Sequence, residues 1–171
     1  MSVSGPAAPS TSPVSTAIAA LRAAGESGDA DAVAELLAPD VLFHSPFTER
    51  IRFEGKEEVA ALHRDIFAVL EDLETTEPLA LGDTRSFSFR ARVRGVELEA
   101  INLVRFNEQG QIVDFRVFIR PLPGLATLFA VLPPRVSARR RGRLRGALAA
   151  FLTRPLAFAL RTADRFVLRF L

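Results

Sequence analysis

Cysteine, tryptophan and tyrosine are absent from this 171-residue chain, methionine occurs once and histidine twice. Each absence closes off a class of function. Without cysteine there is no disulfide framework, no thiolate nucleophile and no sulfur-ligated metal, a composition that fits a reducing, cytoplasmic interior. Two histidines, His44 and His63, are too few for a histidine-rich metal cluster, so neither a metal nor a cofactor is expected. Long charge-free apolar runs are missing as well. The longest, residues 121–134, is interrupted by four prolines and one glycine and falls short of the ~18–20 residues a spanning helix needs. The first 13 residues lack a basic region and an apolar core, and read as a disordered leader and not a secretory signal.

What is present is enough apolar material for a real core: 49% hydrophobic residues, 14 of them Phe. The net charge of +2 conceals a split. Residues 1–132 carry 12 Lys and Arg against 19 Asp and Glu, a net of −7, whereas residues 133–171 carry ten Arg and one acid, a net of +9. Three parts follow: a leader (1–13), an acidic α+β domain (14–132) and a basic amphipathic helical tail (133–171). A tail of that sign is expected to meet an anionic surface.

Along the chain, Ser15 is positioned to cap a first helix that Gly25 ends, and a short second helix from Asp29 stops at Pro39. Residues 41–45 and 51–53 read as short strands. A third helix places Val59, Leu62, His63, Ile66, Phe67 and Leu70 on one face. Residues 73–81 form an edge strand. Three long antiparallel strands follow between Arg85 and Pro121. Their period-two patterning sets Arg92 opposite Glu97 and Arg90 opposite Glu99, with a tight turn at Arg94–Gly95. A four-residue loop, Asn107-Glu108-Gln109-Gly110, joins the last two strands. A short helix after Pro123 ends at Pro133-Pro134, and Pro155 divides the tail into two further helices.

The segments LAPDVLFHSPF, FEGKEEVAALHRDIF and NEQGQIVDF, with a terminal Arg-Pro, resemble the nuclear transport factor 2-like superfamily, and its SnoaL-like branch most of all. The resemblance covers residues 14–132. It implies a cone, a strongly bent antiparallel sheet wrapped around helices, with an apolar pocket inside and homodimers formed through the outer sheet face. The family includes ketosteroid isomerase, scytalone dehydratase, limonene epoxide hydrolase and polyketide cyclases, so the fold alone assigns no reaction.

Ketosteroid isomerases place a general-base Asp where this chain has Ser45, and they use a Tyr that this chain lacks. Polyketide cyclases place an acid late in the final strand, where this chain has Phe115, Arg116 and Val117. Asp114 stands nearby with the opposite parity, either catalytic or paired with an arginine on the outer face. His44, at the expected pocket rim, is the candidate proton carrier against a structural role before Pro46. His63 is either a satisfied core histidine or a pocket residue. Asn102 shares parity with Val96, Leu98, Ala100 and Val104, and a buried amide there must find a partner or a ligand. His44, His63 and Asn102 are expected to converge on one cavity, whose further walls are Ser45, Phe67, Phe115 and Val117.

Arg90, Arg92 and Arg94 face Glu97 and Glu99 without an aromatic platform, so nucleic acid is not the expected partner of the sheet. For the tail, with Arg139, Arg140, Arg141, Arg143, Arg145, Arg161, Arg165 and Arg169, three readings stand. They are an anchor to an anionic membrane surface, a helix docked on the acidic domain or a dimer mate, and nucleic-acid binding. The expected function is binding of a lipophilic small molecule, polyketide-, terpenoid- or lipid-like, with or without acid–base chemistry, peripheral to the inner face of a membrane. The alternative is a non-catalytic binding or scaffolding protein.

Overall fold

The computed structural model describes residues 12–167. Helix α1 (Pro13–Ser27) begins two residues before Ser15. Ser12 is its N-cap, accepting a hydrogen bond from the Ser15 amide at 3.2 Å, and Pro13 fills the first turn, where its missing N–H costs nothing. Its end lies at Gly28, beyond Gly25, because Gly28 adopts the left-handed conformation (φ 69°) that closes the last turn. Asp29 caps α2 (Ala30–Leu36) through its carboxylate.

Pro39 does not stop that helix. Strand β1 (Leu37–His44) follows directly, and Pro39 occupies the irregular stretch between its two paired segments, where no ladder hydrogen bond is asked of it. After β2 (Arg52–Glu54) and α3 (Lys56–Phe67), the expected edge strand over 73–81 divides into β3 (Glu71–Thr75) and β4 (Leu79–Leu81), with Pro78 between them. The long strands are β5 (Thr84–Val93), β6 (Val96–Phe106) and β7 (Ile112–Arg120).

These make one curved sheet in the order β2-β1-β7-β6-β5-β3, with β4 also paired to β5; β1 runs parallel to β7 and the remaining pairs are antiparallel. The β5–β6 hairpin has the register its pattern predicts, Arg92 opposite Glu97 and Ala91 opposite Leu98. Its two-residue turn has positive φ at both Arg94 and Gly95, which matches the twist of the flanking strands. The ion pairs differ from those the register suggests. Arg92 bonds Asp72 of β3, and Arg120 of β7 reaches Glu99 at 3.7 Å. The concave face holds Phe87, Phe89, Leu98, Val104 and Phe115, packed with α1 and α3 into a single core.

Both proline predictions for the C-terminal part are corrected. Helix α4 (Leu122–Arg141) runs through Pro133-Pro134 and crosses the boundary expected between Leu132 and Pro133, and α5 (Arg143–Val167) runs through Pro155. A proline denies a donor to the carbonyl four residues earlier. At Ala130, robbed by Pro134, the Thr153 hydroxyl of α5 supplies a long second contact at 3.5 Å beside its 2.9 Å bond to the Ala149 carbonyl. The helices also approach closely: a side chain on Gly146 would sit 2.6 Å from the Ala138 Cβ and 2.9 Å from the Pro134 carbonyl. Packing along this seam holds the helices past residues that would end them in isolation.

Candidate functional site

The concave sheet, α3 and α4 enclose a cavity of about 370 Å³. Its walls are overwhelmingly apolar because each long strand sends alternate residues inward: Phe87 and Phe89 from β5, Leu98 from β6, Phe115, Val117 and Ile119 from β7. Phe47, Ile66, Phe67 and Leu70 complete the wall on the helical side.

Two buried polar side chains interrupt this lining. His63, 4% exposed, sits on α3 in a nest of rings, its centroid 5.8 Å from Phe43, 5.8 Å from Phe67 and 5.5 Å from Phe115. Its Nδ1–H donates to the Val59 carbonyl one turn back, at 2.8 Å. That bond fixes the tautomer and leaves the Nε2 lone pair without a protein partner among the described residues. The atom is not sealed in, since every described side-chain nitrogen or oxygen closed off from solvent has a partner; Nε2 therefore opens into the cavity that His63 lines. Burial pushes the His63 pKa down to about 4, the Val59 hydrogen bond opposing it, so the ring is neutral at physiological pH.

Asn102 of β6, 6% exposed, lies between Phe87 on one neighbouring strand and Val117 on the other. Its amide likewise has no protein partner among the described residues and faces the same cavity. Deep in a predominantly apolar chamber the site thus offers one acceptor lone pair and one amide, able both to donate and to accept.

His44 does not join them. Strand parity turns Phe43 inward and His44 outward, so the expected convergence of three residues is reduced to His63 and Asn102. On the outer face His44 Nε2–H donates to Asp114 Oδ2 at 2.9 Å, and Arg116 Nε donates to Asp114 Oδ1 at 3.0 Å. Asp114 takes the arginine partner its parity predicts, and a second partner besides. The parallel pairing of β1 with β7, which sets His44 opposite Arg116, brings these residues together. A catalytic role for His44 and Asp114 requires a substrate on this outer face. Of the other residues expected in the pocket, Ser45, Phe67, Phe115 and Val117 all line it; the Ser45 hydroxyl accepts from the Phe47 amide at 3.2 Å. Among the described residues, no group of three or more His, Asp or Glu is arranged to hold a metal ion.

Sequence alone did not disclose the wall that α4 and α5 supply. Leu128, Leu132, Val136 and Arg140 recur every four residues on α4 and line the cavity, joined by Arg141 and by Ala149 of α5. That period of four was visible, but the proline pair hid its continuity. Three arginines hold this helix down. Buried Asp65 accepts from Arg135 Nε at 3.1 Å and Arg139 Nε at 2.7 Å; Glu58 accepts from Arg139 Nη2 at 3.0 Å and Arg140 Nε at 2.8 Å. Arg140 also lies over the Phe53 ring, 4.5 Å from its centroid. Burial works against the Glu58 carboxylate, yet the Arg139 and Arg140 guanidiniums hold its pKa below the ordinary value. The other tail arginines with described side chains, Arg141, Arg143, Arg145, Arg154 and Arg161, have no ion-pair or hydrogen-bond partner among the described residues. Arg165 belongs to α5, and Arg169 lies outside the described residues.

A family model described as "SnoaL-like domain" matches residues 18–115. Among solved structures, the chain is similar to a steroid delta-isomerase from Pseudomonas aeruginosa, at 28% identity and TM-score 0.67, over 81% of this chain and 98% of the other. It is also similar to an uncharacterised bacterial protein with a cystatin-like fold from Silicibacter pomeroyi, at 26% identity and TM-score 0.65, over 78% and 93%. An NTF2-like protein of unknown function from Burkholderia xenovorans, at 18% identity and TM-score 0.57 over 63% and 82%, shares the fold. No curated protein matches the sequence. With a bent sheet around helices, the cavity inside it, and a family model spanning more than half of its length, the chain belongs to the SnoaL-like domain family.

Proposed function

We propose that this protein binds a lipophilic small molecule, polyketide-, terpenoid- or lipid-like, in the cavity between sheet and helices, and works peripherally at the inner face of a membrane. The observation that carries the ligand reading is the pair of buried, unpartnered polar groups, His63 Nε2 and the Asn102 amide, in a predominantly apolar chamber of about 370 Å³. Such a chamber suits a ligand with an apolar body and one or two polar groups. A hydroxyl that donates to His63 Nε2 and an oxygen that accepts from Asn102 together satisfy both without burying an unpaired group. The likeness to a steroid isomerase supports a compact, ring-containing body. A general base works best with a pKa near the working pH, and His63 is held at about 4, so the cavity is better suited to binding than to proton abstraction at neutral pH.

Organic extraction of the purified protein followed by mass spectrometry tests this reading. It should release a lipophilic molecule near one per chain, and Asn102→Leu should reduce that occupancy. Full retention by Asn102→Leu, or a cavity that binds no apolar fluorescent probe, would overturn it.

A second reading has its own observation. Ile101 and Phe118, directly opposed on β6 and β7, are exposed on the outer sheet face. They support a homodimer or scaffold contact there. Phe118→Glu should then convert a dimer to a monomer in sedimentation equilibrium, and a wild-type monomer removes the idea.

A further inference from the structure

Helix α5 distributes its side chains in reverse of an ordinary packed helix. At 100° per residue, Gly146, Ala149, Thr153 and Ala157 share one side, and that side is turned toward α4: Gly146, Thr153 and Ala157 are buried, Gly146 abuts Pro134 and Ala138, and Thr153 reaches Ala130. The large apolar residues Leu144, Leu148, Phe151, Leu152 and Phe158 point the other way. Leu144 is 89% exposed, Phe151 74% and Phe158 72%. A seam of small residues lets two helices lie close, but it leaves the larger part of the helix's apolar surface in water, where a contiguous patch marks a contact surface.

The charges around the stripe point to its occupant. Arg145 flanks one edge, and Arg143, Arg154 and Arg161 the other. None of the four has a partner among the described residues. The single acid of residues 133–171, Asp164, falls on the α4 side of the wheel. A face with Phe and Leu along its centre, arginine on both edges and no carboxylate is complementary to the plane of an anionic bilayer, where rings and alkyl chains enter below the headgroups and guanidiniums pair with them. It is poorly complementary to itself, since two copies would bring arginine against arginine. Crossing is a separate matter: among the described residues no helix is long and apolar enough to span.

We propose that the outward stripe of α5 is a membrane-docking surface for anionic lipid, and that the tail's arginines are divided in labour. Arg135, Arg139 and Arg140 hold α4 to the cone, while Arg143, Arg145, Arg154 and Arg161 serve the bilayer. This rests on the peripheral-membrane part of the proposed function and names its surface. It needs nothing from the cavity reading.

The test uses the full chain, because truncation within α4 removes part of the cavity wall. Co-sedimentation with vesicles of phosphatidylcholine, with and without phosphatidylserine, should show binding stronger by about tenfold or more when the anionic lipid is present. Phe151→Asp combined with Phe158→Asp should abolish sedimentation. Arg143, Arg145 and Arg154, each changed to Gln, should weaken it by about fivefold per charge and flatten its salt dependence. Both variants alter exposed positions, so the thermal midpoint should match wild type, and binding of an apolar fluorescent probe in the cavity should be unchanged. Equal sedimentation on both vesicle types would overturn the inference. So would binding that survives both aspartates, or a wild-type dimer that they dissolve, which would seat a second copy on the stripe. Vesicle binding without cavity binding would instead remove the ligand reading and leave this one standing.

Discussion

The sheet presents different chemistry on its two faces, and the two histidines report the difference. His63, against the concave face, is enclosed by three phenylalanine rings, neutral, and has one lone pair open to a cavity. His44, on the convex face, is half-exposed and bonded to a carboxylate that also accepts from Arg116. The same side chain is desolvated among phenylalanine rings in one place and hydrogen-bonded to a carboxylate in the other, and burial lowers the His63 pKa to about 4. His63 and Asn102 inside the cone are open to a ligand, whereas His44, Asp114 and Arg116 outside are bonded to one another.

The largest expected consequence lies in pH. A pKa pushed from 6.5 to about 4 means that the folded state resists a proton the unfolded chain accepts. Stability is complete above pH 6.5 and is lost as pH falls from there to about 4, by roughly 3 kcal/mol. His63→Phe, which keeps the ring nest, should remove most of that slope when urea midpoints are compared across the range. An unchanged slope would place the titrating group elsewhere. Next in size is Asn102→Leu. It should weaken apolar-probe or ligand binding by up to about tenfold while leaving stability equal or higher, because an unpartnered buried amide is exchanged for a hydrocarbon. A fall in stability with intact binding would make Asn102 structural. The smallest effect belongs to the outer face. Asp114→Asn should cost less than about 1 kcal/mol in denaturant melts and leave cavity binding untouched. A large loss of binding would join the two faces after all.

Strand parity made much of this readable. Phe87, Phe89 and Leu98 alternate with serine, arginine and glutamate, Asn102 continues the Leu98 parity, and a period of two has one solution when one face must be dry. The same rule, applied to Phe43, already turns His44 away from the cavity; the turn residue Pro46 drew attention to the wrong neighbour. Register was legible where partners were not. Arg92 stands opposite Glu97 yet bonds Asp72, because the edge strand β3 brings a nearer carboxylate. The C-terminal helices were the least legible. Proline cost is a local quantity, and at Pro133, Pro134 and Pro155 tertiary packing outweighs it. A helical wheel of α5 names its large residues as the buried side, an assumption that fails when a glycine and alanine seam forms the contact instead.

The contact from Thr153 to the Ala130 carbonyl carries a consequence for folding. Helix α4 supplies part of the cavity wall, and around its proline pair it relies on α5 for both packing and a donor. The helices are thus coupled to each other and, through Asp65 and Glu58, to the cone. Loss of α5 should not leave a smaller intact protein behind. Calorimetry is expected to show one cooperative transition with matching calorimetric and van't Hoff enthalpies, and hydrogen exchange in α3 and in the second half of α4 should share a single opening free energy.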